Sequence, residues 1–433
     1  MPTSGSEPSE AKAITTTTLT TETHHLTPLE PLNPDLHERA WCSTPHPTLP
    51  LLATAHGKSV TVFSLSTLSS HSSLTGGHTR SVRCAAWKPN LGPNKLCLVT
   101  GSFDSTAGMW RWEDHSDVAR EKEITADGSD SESNAGGAVD WEFTLVLEGH
   151  DSEIKSCAFS PSGGHLATCS RDKSVWVWED IGASEADDEW ETIAVLNEHE
   201  ADVKALAWCP DVPGRSRRGT YGVDVLASAS YDDTVRVWRE DSDAEWVCVA
   251  VLEGHAGTVW GIEWERRPRA GDKFPRLLSF SADSTIRLWT LDQSTDEDSN
   301  DADGGAKPAL GGIPNTMRRS LREDWTCTAT LPKVHSSDVY AAAWSPETGL
   351  VASTGSDGLL VLYQEDVVTG EWSILEVRHN AHGPYEVNHA AWCKRWDDGV
   401  AADRRGVEEM LVTTGDDGLV RPWQLVVVPS STS

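Results

Sequence analysis

Residues 166–179 read "LATCSRDKSVWVWE". Two short runs, the small and apolar Leu166–Ser170 and Ser174–Trp178, are separated by Arg171, Asp172 and Lys173, and the runs that match the second elsewhere, "TVRVW" (234–238) and "TIRLW" (285–289), alternate apolar with polar residues. Alternation over so few residues is the mark of a strand with one buried face. A polar break carrying Asp between two such runs is a tight turn. The stretch therefore predicts a hairpin with Asp172 in its turn, six residues before Trp178. The same interval recurs from Asp104 to Trp110, Asp232 to Trp238, Asp283 to Trp289, Asp357 to Tyr363 and Asp417 to Trp423. A His precedes each pair at a variable distance, and in this unit it is His150.

Working outward, seven similar units run from about residue 37. Each is read as opening with a strand that ends in an aromatic, at Trp41, Trp87, Phe159, Trp208, Trp264, Trp344 and Trp392. The turn hairpin follows. A fourth strand often begins with a further Trp, at 141, 190, 246, 325 and 372. Four antiparallel strands in each of seven units predict an all-β chain, a seven-bladed WD40 β-propeller. In that architecture the His, the turn Asp, a strand Ser or Thr and the third-strand Trp form a hydrogen-bonded cluster. His150, Asp172 and Trp178 are the best example by spacing. Asp232 with Trp238, and Asp283 with Trp289, are expected to hold the next two blades in the same way. A Ser-hydrolase triad would use the same residue types, but an active site needs them once, and here they recur blade after blade.

Two units depart from the rule. The first has Gly57 and Phe63 in place of the Asp and Trp, so it should be the least cross-linked. The seventh has Pro422 before Trp423 and too few residues afterwards for another hairpin. Its outer strand must come from elsewhere, and the Thr-rich segment near residues 13–24 is the natural donor, hiding an exposed edge. Residues 1–36, rich in Thr, Ser, Pro and Glu, otherwise read as a disordered tail, and residues 37–429 as the propeller.

The formal charge of −31 disfavours direct nucleic-acid binding. No apolar run suggests a signal peptide or a membrane span. Nine scattered Cys with no CxxC read as reduced, buried thiols, so no metal, cluster or other cofactor is expected. The acid concentrates in segments read as lying between the blades, at 113–143, 182–191 and 292–303, which carry 19 of the 31 net negative charges. The longer insertions are 113–143 and 292–320. One basic cluster, "RSRR" at 215–218, stands apart.

A propeller gathers two kinds of position on one face: the residue before each turn Asp, and one near the start of each inner strand. The first set is Phe103, Arg171, Tyr231, Ala282, Ser356 and Asp416. The second is Arg83, Lys155, Lys204, Trp260, Tyr340 and Asn388. Arg83, Lys155, Arg171 and Lys204 form a basic arc beside the aromatic Tyr231, Trp260 and Tyr340. Arg and aromatics dominate interface hot spots. Such a face suits an acidic peptide with an aromatic anchor, a terminal carboxylate or a phosphate.

The stretch 166–179, with "GSFDST" (101–106), "SASYDDTVRVW" (228–238), "LEGHAGTVW" (252–260), "YEVN" (385–388) and "GDDGLV" (416–420), strongly resembles the WD40 proteins of the cytosolic iron–sulfur protein assembly (CIA) machinery. The resemblance covers nearly all of residues 38–427. It implies a propeller without enzymatic activity, a scaffold in a targeting complex with a DUF59-type CIA protein and a HEAT-repeat adaptor. That complex takes clusters from an iron-only-hydrogenase-like carrier to apo-proteins of cytoplasm and nucleus, among them DNA polymerases, primase and helicases. Many clients or adaptors end in acidic–aromatic tails. It also implies a functional role for the Arg of the "SRDKS" turn, here Arg171. The long insertions exceed the compact family pattern and resemble fungal-type elaborations, and Ala282 stands where a larger face residue could sit. The competing readings are a ubiquitin-ligase substrate receptor or chromatin adaptor using the same face, and a propeller enzyme. No F-box or ligase-docking motif and no lone polar constellation supports either.

Overall fold

The computed structural model describes residues 22–113, 140–184, 187–212, 221, 224–241, 243–267, 274–292 and 322–429. Its 28 strands form seven four-stranded antiparallel sheets, with no helix among the described residues. In six sheets the strands follow chain order from the ring axis outward. The inner strand of blade one, Ala40–Pro45, packs beside that of blade seven, Val387–Lys394, which closes the ring.

Six blades carry the cluster that the Asp-to-Trp interval predicts. In blade three His150 Nδ1 lies 2.8 Å from Asp172 Oδ2, while His150 Nε2 and Trp178 Nε1 lie 2.9 and 3.0 Å from Thr168 Oγ1. In blade four His199 joins Asp232 to Ser228, and Trp238 donates its indole N–H to Ser228 Oγ at 2.8 Å. In blade five His255 joins Asp283 to Ser279, and Trp289 donates to Ser279 Oγ at 2.7 Å. Both Trp238 and Trp289 are buried, so they act as internal pins and present nothing to a partner. Blade two repeats the set with His78, Asp104, Thr100 and Trp110, and blade seven with His382, Asp417, Thr413 and Trp423. In blade six Tyr363 replaces Trp on Ser353, beside His335 and Asp357.

Each Asp also pins its own turn. Asp172 accepts from the amides of Asp151 and Ser174, and the residue between, Lys173, takes φ +75°. Burial works against the Asp172 carboxylate, but bonds from His150 and Ser174 outweigh it and hold its pKa well below the usual range. Thr168 is fully buried; its oxygen accepts the Trp178 indole N–H and lies 2.9 Å from His150 Nε2.

Blade one lacks the cluster. Its hairpin turns at Gly57, whose φ of +45° suits a residue without Cβ. The carbonyl of Gly57 accepts from Val82 of blade two. Side-chain links there include Ser43–Thr54 at 2.7 Å and His56–Thr61 at 2.9 Å, and Phe63 is buried. The reading of Trp41 as the end of an inner strand is corrected. It is the second residue of Ala40–Pro45, and Pro45 holds the place that Trp87 holds in blade two.

The outer strand of blade seven is N-terminal, Glu22–Pro28, paired antiparallel with Val420–Pro429. It overlaps the Thr-rich segment near 13–24 at Glu22–His24, and the residues up to 21 fall outside the described ones. Leu26 is fully buried, and blade six holds its backbone: its N–H donates to Glu376 (2.6 Å) and its carbonyl accepts from Arg378 (2.7 Å).

At the far end from the Asp turns, blades are stitched by charge. Lys88 meets Asp180, Arg239 meets Glu323, and buried Arg276 bridges Glu265 and Glu365. Indoles add to this: Trp87, Trp208, Trp264 and Trp392 each donate to an inner-strand carbonyl of the preceding blade. The acidic segments do not lie between blades. They join third to outer strands within blades two, three and five, from ends that belong to this far end. Residues 114–139, 185–186 and 293–321, and the basic 215–218, fall outside the described residues.

Candidate partner-binding face

Every inner strand carries one bulge at its first turn of pairing. Register slips between Val82 and Cys84, Ile154 and Ser156, Val203 and Ala205, Val259 and Gly261, Val339 and Ala341, Val387 and His389, and Ala40 and Cys42. The skipped residues are Arg83, Lys155, Lys204, Trp260, Tyr340, Asn388 and Trp41. A bulge frees one residue from the ladder and re-aims its side chain; here six of the seven line the axial channel, and the seventh, Trp41, lies beside it against Arg83. Six of them are among the residues singled out in the sequence. Trp41 is the seventh, and the sequence reading missed it because it aligned this Trp with the strand-end aromatics. The pattern of an apolar residue, a large residue and a small one in "AWC", as in "VRC", could have revealed it.

The turn residues lie above the bulges. The amides of Phe103, Arg171, Tyr231, Ala282, Ser356 and Asp416 donate to the carbonyls of Ser81, Glu153, Asp202, Thr258, Asp338 and Glu386. Each acceptor stands two residues before a bulged residue. Four of the six are acids, a ring that the sequence reading also missed. Glu153 takes Lys155 at 2.6 Å, Arg80 at 3.2 Å and Arg171 at 4.0 Å. Its burial is outweighed by these cations, and its pKa falls. Asp202 takes Lys204 at 3.3 Å and Arg171 at 4.0 Å. Asp338 accepts from the Trp260 indole at 3.1 Å.

Cations and rings alternate along the mouth. The guanidinium groups of Arg39 and Arg83 lie over the Trp41 ring, at 4.8 and 4.9 Å, and that ring lies 6.0 Å from Phe103. Lys155 sits 4.3 Å over Phe103, and Lys204 lies between Tyr231 and Trp260. Trp260 meets Tyr340 edge-on at 5.3 Å. Burial lowers the Lys204 pKa; Asp202 opposes this, while Lys155 and Arg83 add to it. Burial with Glu386 and Asp338 pushes the Tyr340 phenol up to about 12. Arg171 and Tyr231 are the open members, with side chain 59 % and residue 57 % exposed. Asn388 differs from the rest. It is 8 % exposed, and its amide is spent on the Ala40 carbonyl and Asp416. Its place in this structure is to hold Asp416, which also pairs with Arg39.

Behind the mouth the channel encloses about 630 Å³ and is lined in part by Cys84, Cys157 and His389. Burial and Arg83 lower the His389 pKa to about 4, leaving it neutral. Among the described residues, no group of three or more His, Cys, Asp or Glu is placed to hold a metal ion. The chemistry on offer is recognition: guanidinium and ammonium groups for anions, and flat rings for aromatic or cationic groups.

Repeated blades with His–Asp–Ser/Thr–Trp clusters define a WD-repeat propeller. The family model described as "WD domain, G-beta repeat" matches residues 64–111, 141–179, 190–239, 246–290 and 325–364. Proteins named "Probable cytosolic iron-sulfur protein assembly protein 1" are similar over nearly their whole length. That of Pyricularia oryzae is 59 % identical, covering 92 % of this chain and 96 % of the relative. That of Neurospora crassa is 55 % identical, covering 96 % and 99 %. That of Chaetomium globosum is 54 % identical, covering 92 % and 95 %. The chain belongs to the cytosolic iron–sulfur protein assembly protein 1 family of WD40-repeat proteins.

Proposed function

We propose that this propeller is a non-catalytic scaffold of cytosolic iron–sulfur protein assembly, working in the cytoplasm and also in the nucleus. Its task is to hold client apo-proteins, or their adaptors, within reach of the cluster-delivering partners. The observation that carries the reading is the mouth of bulged residues, where Arg83, Lys155 and Lys204 stand beside Trp260 and Tyr340, with Arg171 and Tyr231 exposed above. An acidic tail ending in an aromatic residue matches it in charge and shape. The DUF59-type protein, the HEAT-repeat adaptor and the iron-only-hydrogenase-like carrier are the companions proposed with it. Isolation of the tagged chain from its own cells, followed by mass spectrometry, tests this. The expected result is recovery of those companions; recovery of ubiquitin-ligase subunits or chromatin factors instead would overturn it.

A further inference from the structure

Cys84 and Cys157 stand on the neighbouring inner strands Val82–Trp87 and Ile154–Phe159 of blades two and three, with their sulfurs 3.4 Å apart. Both line the axial channel, and both are buried, at 8 % and 6 % exposure. A disulfide needs the sulfurs at about 2.05 Å, so closure asks for a shift of roughly 1.4 Å, within the reach of small χ1 rotations. Both thiols lean on one strand, Lys95–Ser102: Cys84 Sγ lies 3.9 Å from the Gly101 carbonyl and Cys157 Sγ 3.9 Å from that of Val99. The pair is therefore held together across the blade boundary without being bonded.

We propose that Cys84 and Cys157 are a peroxide-sensitive dithiol, which closes into a disulfide that ties blade two to blade three beneath the partner-binding mouth. The two thiols are unequal. Burial raises the Cys84 pKa, but its hydrogen bond with Cys157 and the Arg83 guanidinium outweigh this and lower it. The Cys157 pKa is raised, first by that same bond and then by burial. Cys84, the chain neighbour of Arg83, is the attacking sulfur in this proposal. Hydrogen peroxide, close to water in size, enters through the channel. The Cys84 sulfur attacks one peroxide oxygen and the O–O bond breaks. The other oxygen leaves as hydroxide, and Cys84 becomes a sulfenic acid. The Cys157 sulfur then attacks the Cys84 sulfur, and the S–O bond breaks. The oxygen leaves as water with the Cys157 proton, and the disulfide remains. Sulfur loses two electrons in all, and peroxide gains them.

The test uses the full chain, reduced, freed of reductant, treated with hydrogen peroxide, and alkylated in denaturant before proteolysis. Mass spectrometry should find the peptides of Cys84 and Cys157 joined, two hydrogens lighter than the free pair and separated again by dithiothreitol. In Cys157→Ser the link should vanish and Cys84 should become reactive to a sulfenic-acid trap; Cys42→Ser should keep the link. Free thiols at both positions while exposed Cys327 oxidises would overturn the proposal, as would a link from Cys84 to Cys42. The wild-type mapping decides the matter even if a variant fails to fold.

Discussion

At the residue scale, similar charges play different parts according to what surrounds them. Among the described residues, Arg171 has two long ion pairs, at 4.0 Å, to Glu153 and Asp202, and its side chain is 59 % exposed. Arg171→Glu should leave the melting temperature near wild type. It should weaken an acidic–aromatic tail peptide tenfold or more, about 1.4 kcal/mol per tenfold, as read by calorimetric titration. A loss of fold would show that Arg171 is structural. Asp172 is the opposite case. Asp172→Ala would strip a partner from His150 and from two turn amides, and should cost about 2–4 kcal/mol in denaturant unfolding. Its pKa, like those of Asp232 and Asp283, lies below the unfolded value of about 3.9. For a depressed carboxylate the stabilisation is present above the unfolded pKa and is lost as pH falls through the folded one. The melting temperature should therefore change little on this account from pH 7 to 5 and fall below about pH 4; a decline already under way at pH 6 would contradict the assignment. The turn Asp residues, the pinning Trp178, Trp238 and Trp289, and the face cations were legible from their spacing. The acids that restrain those cations were not, because a repeat highlights like residues at like positions, and that ring mixes Ser, Thr, Asp and Glu.

At the element scale, the bulge and the closing strand matter most. One extra residue in each inner strand turns a side chain that would alternate along the sheet into a member of the mouth. Trp41 belongs there for that reason, although its sequence looks like a strand end. The strand Glu22–Pro28 closes blade seven and blunts an edge. Its Leu26 is buried in the cluster shared by blades six and seven. Against a chain starting at residue 22, deletion of residues 1–28 should lower the melting temperature by about 5 °C or more and promote self-association. Unchanged values would mean that the closure contributes little. That the outer strand had to come from outside the last unit was legible by counting strands. Which residues supply it was not, because Thr-rich β-propensity marks the run before the strand, whereas a buried Leu26 and backbone bonds to Glu376 and Arg378 fix the register.

At the scale of the whole molecule, charge is divided by direction. Strands run alternately, so every Asp turn and every inner-strand bulge falls at one end of the ring, and every third-to-outer connection is anchored at the other. The acidic segment between Glu113 and Asp140 therefore springs from the end away from the mouth. Ions at about 0.15 M screen exposed charges beyond about 8 Å. Replacing residues 114–139 with a short Gly–Ser link should thus leave tail affinity within about twofold at that salt, by the same titration; a larger change would place the segment near the mouth. The sequence by itself determined the number of blades, the six clusters, the one blade without a cluster and the chain's acid balance. These follow from local periodicity, which one strand and one turn suffice to express. Only the tertiary structure decided that Trp41 joins the mouth, that Glu153 and Asp202 restrain its cations, that Asn388 is spent inside, and that Cys84 meets Cys157 across two blades. Such contacts join residues from different repeats, and their distances exist only once the ring has closed.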